Sequence, residues 1–517
     1  MPLYVEVCKN TYRDSLGTLQ ATFVASEVPG VETAYVAMAT DTNKATMAQL
    51  NMRSDKIDSA EGNDLVVAVL AESYEVFEKA LKAVRDAENA SSQGGKSSVS
   101  FPTLDSALKS NPKANICTIA VPGEYAFSET KKALEAGLHC IVFSNNVPLE
   151  DERAMKELAR EKGLLCMGPD CGVANLGGVA FVLASLNNRG PFGICGASGC
   201  GIQHVAAICH QYGSGISQGI GTGGNDLKDP VGGITMLMGI DALENDPDTK
   251  YIVLVSRKPG EKIRKTILRR IQTCKKPVVV FMMGTQKEEI KASGAIWAAN
   301  LDDCAAKALA LIGKEVTFTS DEEIQKIAAQ AIEGMSPKQK YVRGAFLGGT
   351  YCDEAMRTMR DKIGAIYSNC PLSPELQLKD SYVSVKNTVI DYGEEEFTRG
   401  KPHPTIDPSV RQPAFMREAA DPEVAVILMD MILCAPGPQN PAGAIVGDIQ
   451  KAQGMAKARG GKLVVVASVL GTDKDFQNAK KQAAILREAG VLVCQTNYRA
   501  ALLAGEIIRM KNERDAQ

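Results

Sequence analysis

The stretch Gly190–Asp226, GPFGICGASGCGIQHVAAICHQYGSGISQGIGTGGND, decides the architecture of the chain. A short apolar run, Phe192 to Cys195, meets the small-residue turn Gly196-Ala197-Ser198-Gly199-Cys200-Gly201. A helical pattern follows through Ile202, Val205, Ala206 and Ile208. A strand that enters a helix through glycines leaves N–H groups without partners at the helix start, and the helix dipole there favours an anion. A second cluster, Gly219 to Gly224, follows the next apolar segment. Ser198, Gly199, Thr222, Gly223 and Asn225 are therefore candidates for holding phosphate or carboxylate. The same glycines also suit two plain strand-to-helix turns that need only their conformational freedom. The residues of these turns leave both readings open.

Outward from this stretch, the pattern of strand then helix repeats. Apolar runs at 115–121, 139–144 and 164–167 alternate with helical patterns at 124–136 and 151–162. Further strands are expected at 192–195, 215–220, 251–256 and 277–282, and again at 342–346, 389–391, 424–429, 462–468 and 491–494. Alternation of this kind implies right-handed crossovers and parallel sheets. Ligands of such sheets collect at the carboxyl ends of the strands. One of those ends carries Ser256-Arg257-Lys258-Pro259-Gly260, where Arg257 and Lys258 read either as an anion-binding pair or as a solvated turn. Arginine's planar fork suits phosphate and carboxylate. Another end carries Gly348-Gly349-Thr350, a third glycine entry to a helix, which adds Gly349 and Thr350 to the ligand candidates. A stiff loop, Gly400 to Pro408, holds three prolines around His403, with Lys401 and Asp407 beside it. His403 can exchange protons near neutral pH, or it can simply cap a neighbouring carbonyl.

Residues 1–95 read as a small α/β domain, and the polar run Ser91–Ser98 reads as a linker. The chain has 517 residues, a formal net charge of −3, 23% charged and 45% hydrophobic residues. That balance argues against nucleic acid or a membrane as the main partner. No apolar run approaches the roughly 20 residues of a membrane span, and the first residues lack the pattern of a secretory signal. The 14 cysteines are scattered without CxxC pairs, as expected for a cytoplasmic chain with no metal site.

The segments VPGEYAFSETKKALEAGLHCIVFSNNVPLEDE, GLLCMGPDCG, GICGASGCGIQH, IGTGGNDL and KPHPTIDP together resemble the FdrA family, along nearly the whole chain. That family belongs to the acyl-CoA synthetase superfamily and is similar to succinyl-CoA synthetase. The resemblance implies a CoA-binding-type Rossmann domain at 101–190. It further implies two flavodoxin-like ligase domains at 191–320 and 340–517, the second like the carboxyl-terminal domain of the synthetase β subunit. It also brings CoA or a nucleotide as cofactors, although the residues themselves specify neither. The synthetase phosphohistidine lies in a GHAGAI segment; the matching residues here are Lys291-Ala292-Ser293-Gly294-Ala295-Ile296, with Ala292 in the histidine's place. Its glutamate partner lies in GEIGG, which matches Ser256 to Gly260 and puts Arg257 where the carboxylate stood. An ATP-grasp domain and a glycine-rich pyrophosphate loop have no counterpart in the sequence.

By resemblance, the expected activity is one component of a carbamoyltransferase that converts oxalurate and phosphate to oxamate and carbamoyl phosphate in purine nitrogen breakdown. Arg257 and Lys258 would stabilise charge, and His403 would serve as general acid or base. Other protein subunits and self-association are expected partners. Two alternatives stand beside this expectation: an ADP-forming acyl-CoA synthetase subunit, and a non-catalytic scaffold.

Overall fold

The computed structural model describes residues 1–11, 13, 15–93, 101–398 and 403–516. Most of the linker assigned to 91–98 lies outside the described residues, and so does Lys401. Among the described residues the chain divides into two compact units, Met1–Ser110 and, for the second, those within Asn111–Arg399 and His403–Gln517.

In the first unit, β1 (Leu3–Cys8), β2 (Val31–Met38) and β3 (Leu65–Ala71) form an antiparallel sheet in the order β1-β3-β2. Strand side chains alternate between faces, and β3 is apolar on both. Leu65, Val67, Val69 and Ala71 pack with the helices Ser15–Ser26 and Tyr74–Gln93, through Ala21, Ala25, Phe77 and Val84. Val66 and Ala68 pack on the other side with Met47, Met52 and Ile57.

The second unit opens with a three-stranded parallel sheet, β4 (Ile116–Ile119), β5 (His139–Val142) and β6 (Cys166–Met167). The strands β7 (Val173–Leu176), β8 (Val179–Val182), β9 (Arg189–Gly196), β10 (Ile216–Gly221), β11 (Tyr251–Ser256), β12 (Val278–Met282) and β13 (Ile296–Trp297) make a seven-stranded sheet. Its order is β13-β12-β11-β9-β10-β7-β8. The hairpin β7–β8 is its antiparallel edge, so Val173–Val182 pairs with the second sheet rather than the first. The third sheet is parallel throughout, with β14 (Tyr341–Phe346), β15 (Tyr367–Ser368), β16 (Thr388–Asp391), β17 (Val424–Ile432), β18 (Val464–Leu470) and β19 (Leu492–Cys494) in the order β15-β16-β14-β17-β18-β19. This is the mixed α/β architecture with several parallel sheets that the strand–helix alternation implies.

The two large sheets share one hydrophobic core. Phe192, Ile194, Ile202 and Val205 from one side meet Phe346, Tyr351, Met356 and Ile507 from the other. A buried polar network crosses that core. His204 Nδ1 lies 2.8 Å from the Tyr351 hydroxyl and its Nε2 lies 3.1 Å from Asp302. Thr496 and Arg499 donate to the second oxygen of Asp302. Asn497 donates to Glu354, whose other oxygen accepts from the Leu301 N–H. Buried networks of this kind help to fix the register of the elements they join. Here they join the helix Gly199–Gln211, which carries His204, to the helix Gly349–Ile363, which carries Tyr351 and Glu354.

Burial pushes the Glu354 carboxyl up to about 7 from an ordinary 4.5. The folded chain therefore holds this proton more tightly than the unfolded chain does. The stability it contributes is complete below about pH 4.5 and is lost as pH rises toward 7. Glu354→Gln keeps the shape and removes the titration. Denaturant melts of the variant at pH 5 and pH 7.5 are expected to differ less than those of the native chain, by on the order of 2 kcal/mol. An unchanged difference counts against the assignment.

Candidate functional site

The site forms where the helices Gly199–Gln211 and Gly349–Ile363 begin. Each starts directly after a strand that ends in the sheet core, β9 and β14 respectively. Ser198 caps the first helix, its hydroxyl accepting the Gly201 N–H at 2.9 Å, and the same hydroxyl lies 2.8 Å from that of Thr350. The two helix starts therefore meet, which one-dimensional reading of the glycine turns cannot decide. A Cβ on Gly348 would crowd the Cys200 sulfur, so the second turn approaches the first closely only as glycine. Among the described residues, the N–H groups of Gly199, Cys200, Gly349 and Thr350 find no acceptor. These are the orphan donors that every helix start leaves, and two dipoles of the same sign converge on them.

Arg257 stands at this junction. Its guanidinium lies against Gly349, and any Cβ there would collide with it and with the Asp391 carboxyl. Burial works against the Arg257 charge, but Asp391, Glu394, Cys370 and Asp170 outweigh it and hold the charge firmly in place. Asp391 ends β16, is 2% exposed, and accepts the Gly393 N–H at 2.9 Å. Burial pushes its carboxyl up to about 7, with Arg257 pulling it down and Glu394 pushing it further up. Asp170 is exposed as a residue, but protein around its carboxyl pushes it up to about 6, with Arg257 pulling it down. Deeper in, Asp430 accepts the Leu347 and Gly348 N–H groups at 2.8 and 3.0 Å and faces Arg411. Burial pushes Asp430 up to about 6.

The remaining candidates divide. His403 comes to the cluster, with its Nε2 packed beside Gly393 and its Nδ1 accepting the Thr405 N–H at 3.2 Å. Burial pulls it down to about 4, so it is neutral near pH 7. Gly223 has φ +86° and touches the Gly168–Pro169 turn so closely that a Cβ would clash. This brings the loop to Asp170, which also lies beside Gly224. Thr222 departs from expectation: it is fully buried, and its hydroxyl donates to the Gly223 carbonyl within its own loop. A side chain turned into the core shapes the loop and does not reach a ligand. Asn225 is half-buried and its carbonyl accepts the Lys228 N–H. Lys258 is exposed, with its stem along Gly284; successive residues leaving a strand diverge, and only Arg257 turns into the junction. Ala292 ends the short helix Lys287–Ala292 and is exposed.

The 222–226 loop is held from below by Lys156, on the helix Leu149–Glu161. The Lys156 ammonium is fully buried and donates to Glu152 at 2.7 Å, to the Thr222 carbonyl at 2.8 Å and to Asp226 at 2.8 Å. Asp226 also accepts the Thr235 and Met236 N–H groups. One buried cation thus ties the loop to two elements.

The arrangement is suited to a small, doubly charged anion. Four N–H donors and one guanidinium converge, and carboxyls nearby are easily protonated. A phosphoryl-histidine intermediate has no residue to form on at Ala292. Asp391, Asp170 and Glu394 are additions to the sequence candidates. Their signal was visible as acidic residues at strand ends, but those ends read equally as turn chemistry.

Residues 345–507 match the CoA-ligase family model, and residues 1–101 match a model described as AllF, heavy metal-associated domain. That description implies a metal, but residues 1–101 contain one cysteine, Cys8, and no histidine. Burial pushes the Cys8 thiol up, away from the thiolate a soft metal needs. The residues do not fit such a metal. The Escherichia coli (strain K12) protein YahF is 39% identical over 509 residues, covering 98% of this chain and 99% of YahF. The succinate–CoA ligase [ADP-forming] subunit alpha of Aquifex aeolicus is 28% identical over 239 residues, covering 45% of this chain and 73% of that subunit. Among solved structures, ATP citrate lyase from Methanothrix soehngenii covers 80% of this chain with a TM-score of 0.36 at 14% identity, over 85% of its own length. Among the described residues no helix is long and apolar enough to cross a membrane. A relationship at 39% identity over almost the full length of both chains shows that this chain belongs to the YahF family, within the acyl-CoA synthetase superfamily and similar to succinyl-CoA synthetase α subunits.

Proposed function

We propose that the chain is the phosphate-handling component of a carbamoyltransferase, interconverting oxalurate and phosphate with oxamate and carbamoyl phosphate, together with partner subunits. The observation that carries this reading is the meeting of two helix starts at Arg257 in a fold whose phosphohistidine position is Ala292. Phosphate attack on a carbamoyl carbon needs positioning and stabilisation of developing negative charge, not a covalent histidine. The N–H groups of Gly199, Cys200, Gly349 and Thr350 would hold phosphate oxygens, and Arg257 would clamp one edge. The choice of oxalurate rests on the resemblance to the FdrA family. The names of the ligase relatives favour a second reading, an ADP-forming acid–thiol ligase subunit, which would bind CoA.

Thermal stabilisation of the purified chain separates the readings. A ligand at about 100 times its Kd adds roughly 2.7 kcal/mol. Phosphate, carbamoyl phosphate or oxamate are expected to raise the melting temperature, while CoA and ADP leave it unchanged. Stabilisation by CoA alone overturns the transferase reading and restores the ligase. No response to any ligand supports a scaffold.

A further inference from the structure

The junction has a charge conflict. The guanidinium that suits an anion already faces Asp391, Glu394 and Asp170. Asp391 is the critical member, because its carboxyl occupies the space beside Gly349 and Arg257 where a ligand oxygen would sit. A phosphate or sulfate dianion entering there meets a carboxylate at contact distance. Two such charges do not coexist in a poorly solvated recess, so one must take a proton. The groups facing Asp391 are Arg257 from the β11 turn, Glu394 beyond β16, Asp430 on β17, and the cysteines Cys200 and Cys352. His403 packs against the same Gly393. Of these, only Arg257 is a cation, and the anion claims it on arrival.

We propose that Asp391 takes up a proton when the dianion binds and is the catalytic acid–base residue of the transfer. This rests on the transfer reading given above. In the step itself, a phosphate oxygen bonds to the carbamoyl carbon, the carbon–nitrogen bond breaks, and its electron pair goes to the amide nitrogen. The Asp391 carboxyl gives that nitrogen its proton. The proton carried by the attacking hydrogen phosphate then passes to the freed Asp391 carboxylate, so the residue ends as it began and no other reactant is consumed. Arg257 neutralises the charge that grows on the phosphate while the bond forms. The role fits the position: a buried carboxyl that is readily neutral near pH 7 can donate, which an ordinary exposed aspartate cannot.

The test uses sulfate, a dianion that does not itself titrate near neutral pH. Isothermal titration of the whole chain with sulfate at pH 7.5, in buffers of different ionisation enthalpy, counts the protons taken up. The native chain is expected to take up between half a proton and roughly one per sulfate. Asp391→Asn, which keeps the shape but cannot titrate, is expected to bind sulfate at least as tightly with uptake near zero. In the native chain alone, sulfate affinity is expected to strengthen by up to about tenfold per unit as pH falls from 9 toward 7. Turnover by Asp391→Asn with its partner subunits is expected to fall about 100-fold or more. Sulfate binding with no proton uptake by the native chain, or equal uptake by the variant, overturns the role of Asp391 and leaves the transfer reading standing. Failure of the native chain to bind either sulfate or phosphate overturns both.

Discussion

Replacing Arg257 with methionine is expected to weaken phosphate binding by roughly 30- to 150-fold, equivalent to about 2–3 kcal/mol. The figure follows from what the side chain does at the junction. The helix N–H groups supply neutral donors with a shared dipole, while Arg257 supplies, among the described residues, the one full positive charge that acts on both Asp391 and Asp170. Without it, three carboxyls face an incoming anion, and the recess changes from attractive to repulsive at neutral pH. Arg257→Lys keeps the charge but loses the planar fork and reach, so it is expected to recover only part of the affinity. Asp391 loses its facing cation in either case and can answer by taking a proton, so melting curves of the variants report any loss of fold stability separately from the loss of affinity. Equilibrium binding of phosphate to the native chain and both variants, with melting curves as controls, checks this. Native affinity in Arg257→Met would mean that the anion binds elsewhere.

The second large effect lies beneath the site. Lys156→Met is expected to destabilise the second unit by about 3–5 kcal/mol, the usual cost of removing one partner from a buried ion pair. The substitution leaves Glu152 and Asp226 buried without their cation and frees the Thr222 carbonyl. The loop that brings Gly223 and Gly224 to Asp170 then loses its anchor, so phosphate affinity falls as well. Replacing Glu152 with glutamine in the same chain removes one of the stranded charges and is expected to restore part of the stability, a coupling that a double-mutant cycle measures. Denaturant unfolding decides the matter: a loss below about 1 kcal/mol would mean that the network contributes little.

Parts of this site were legible in the sequence for a simple reason. A strand running through glycines into a helix is a local pattern, and Ser198-Gly199 and Gly349-Thr350 announce their helix starts without reference to the rest of the chain. Arg257 was visible in the same way, as a cation at a strand's carboxyl end. Distinguishing it from Lys258 was not, because the choice depends on which of two adjacent side chains turns toward a helix more than 90 positions later. Thr222 misled for the opposite reason: its hydroxyl suits a ligand, and only packing shows it buried. Asp391 closes the strand expected at 389–391 and Asp170 follows the one expected at 164–167, and nothing local records that protein encloses either carboxyl. Lys156 sits in LEDERAMKELAREK, a charged run that reads as a solvated helix. Its burial is created by the 222–226 loop, far away in sequence. Patterns give helix starts and strand ends, whereas desolvation is a property of the assembled fold.

Locating the anion tests the central claim most directly. Crystals of the chain grown with arsenate, a phosphate analogue with an anomalous signal, are expected to show it between the N–H groups of Gly199 and Gly349, in contact with the Arg257 guanidinium. Arsenate bound away from this junction, or a junction empty while arsenate occupies another site, would contradict the account.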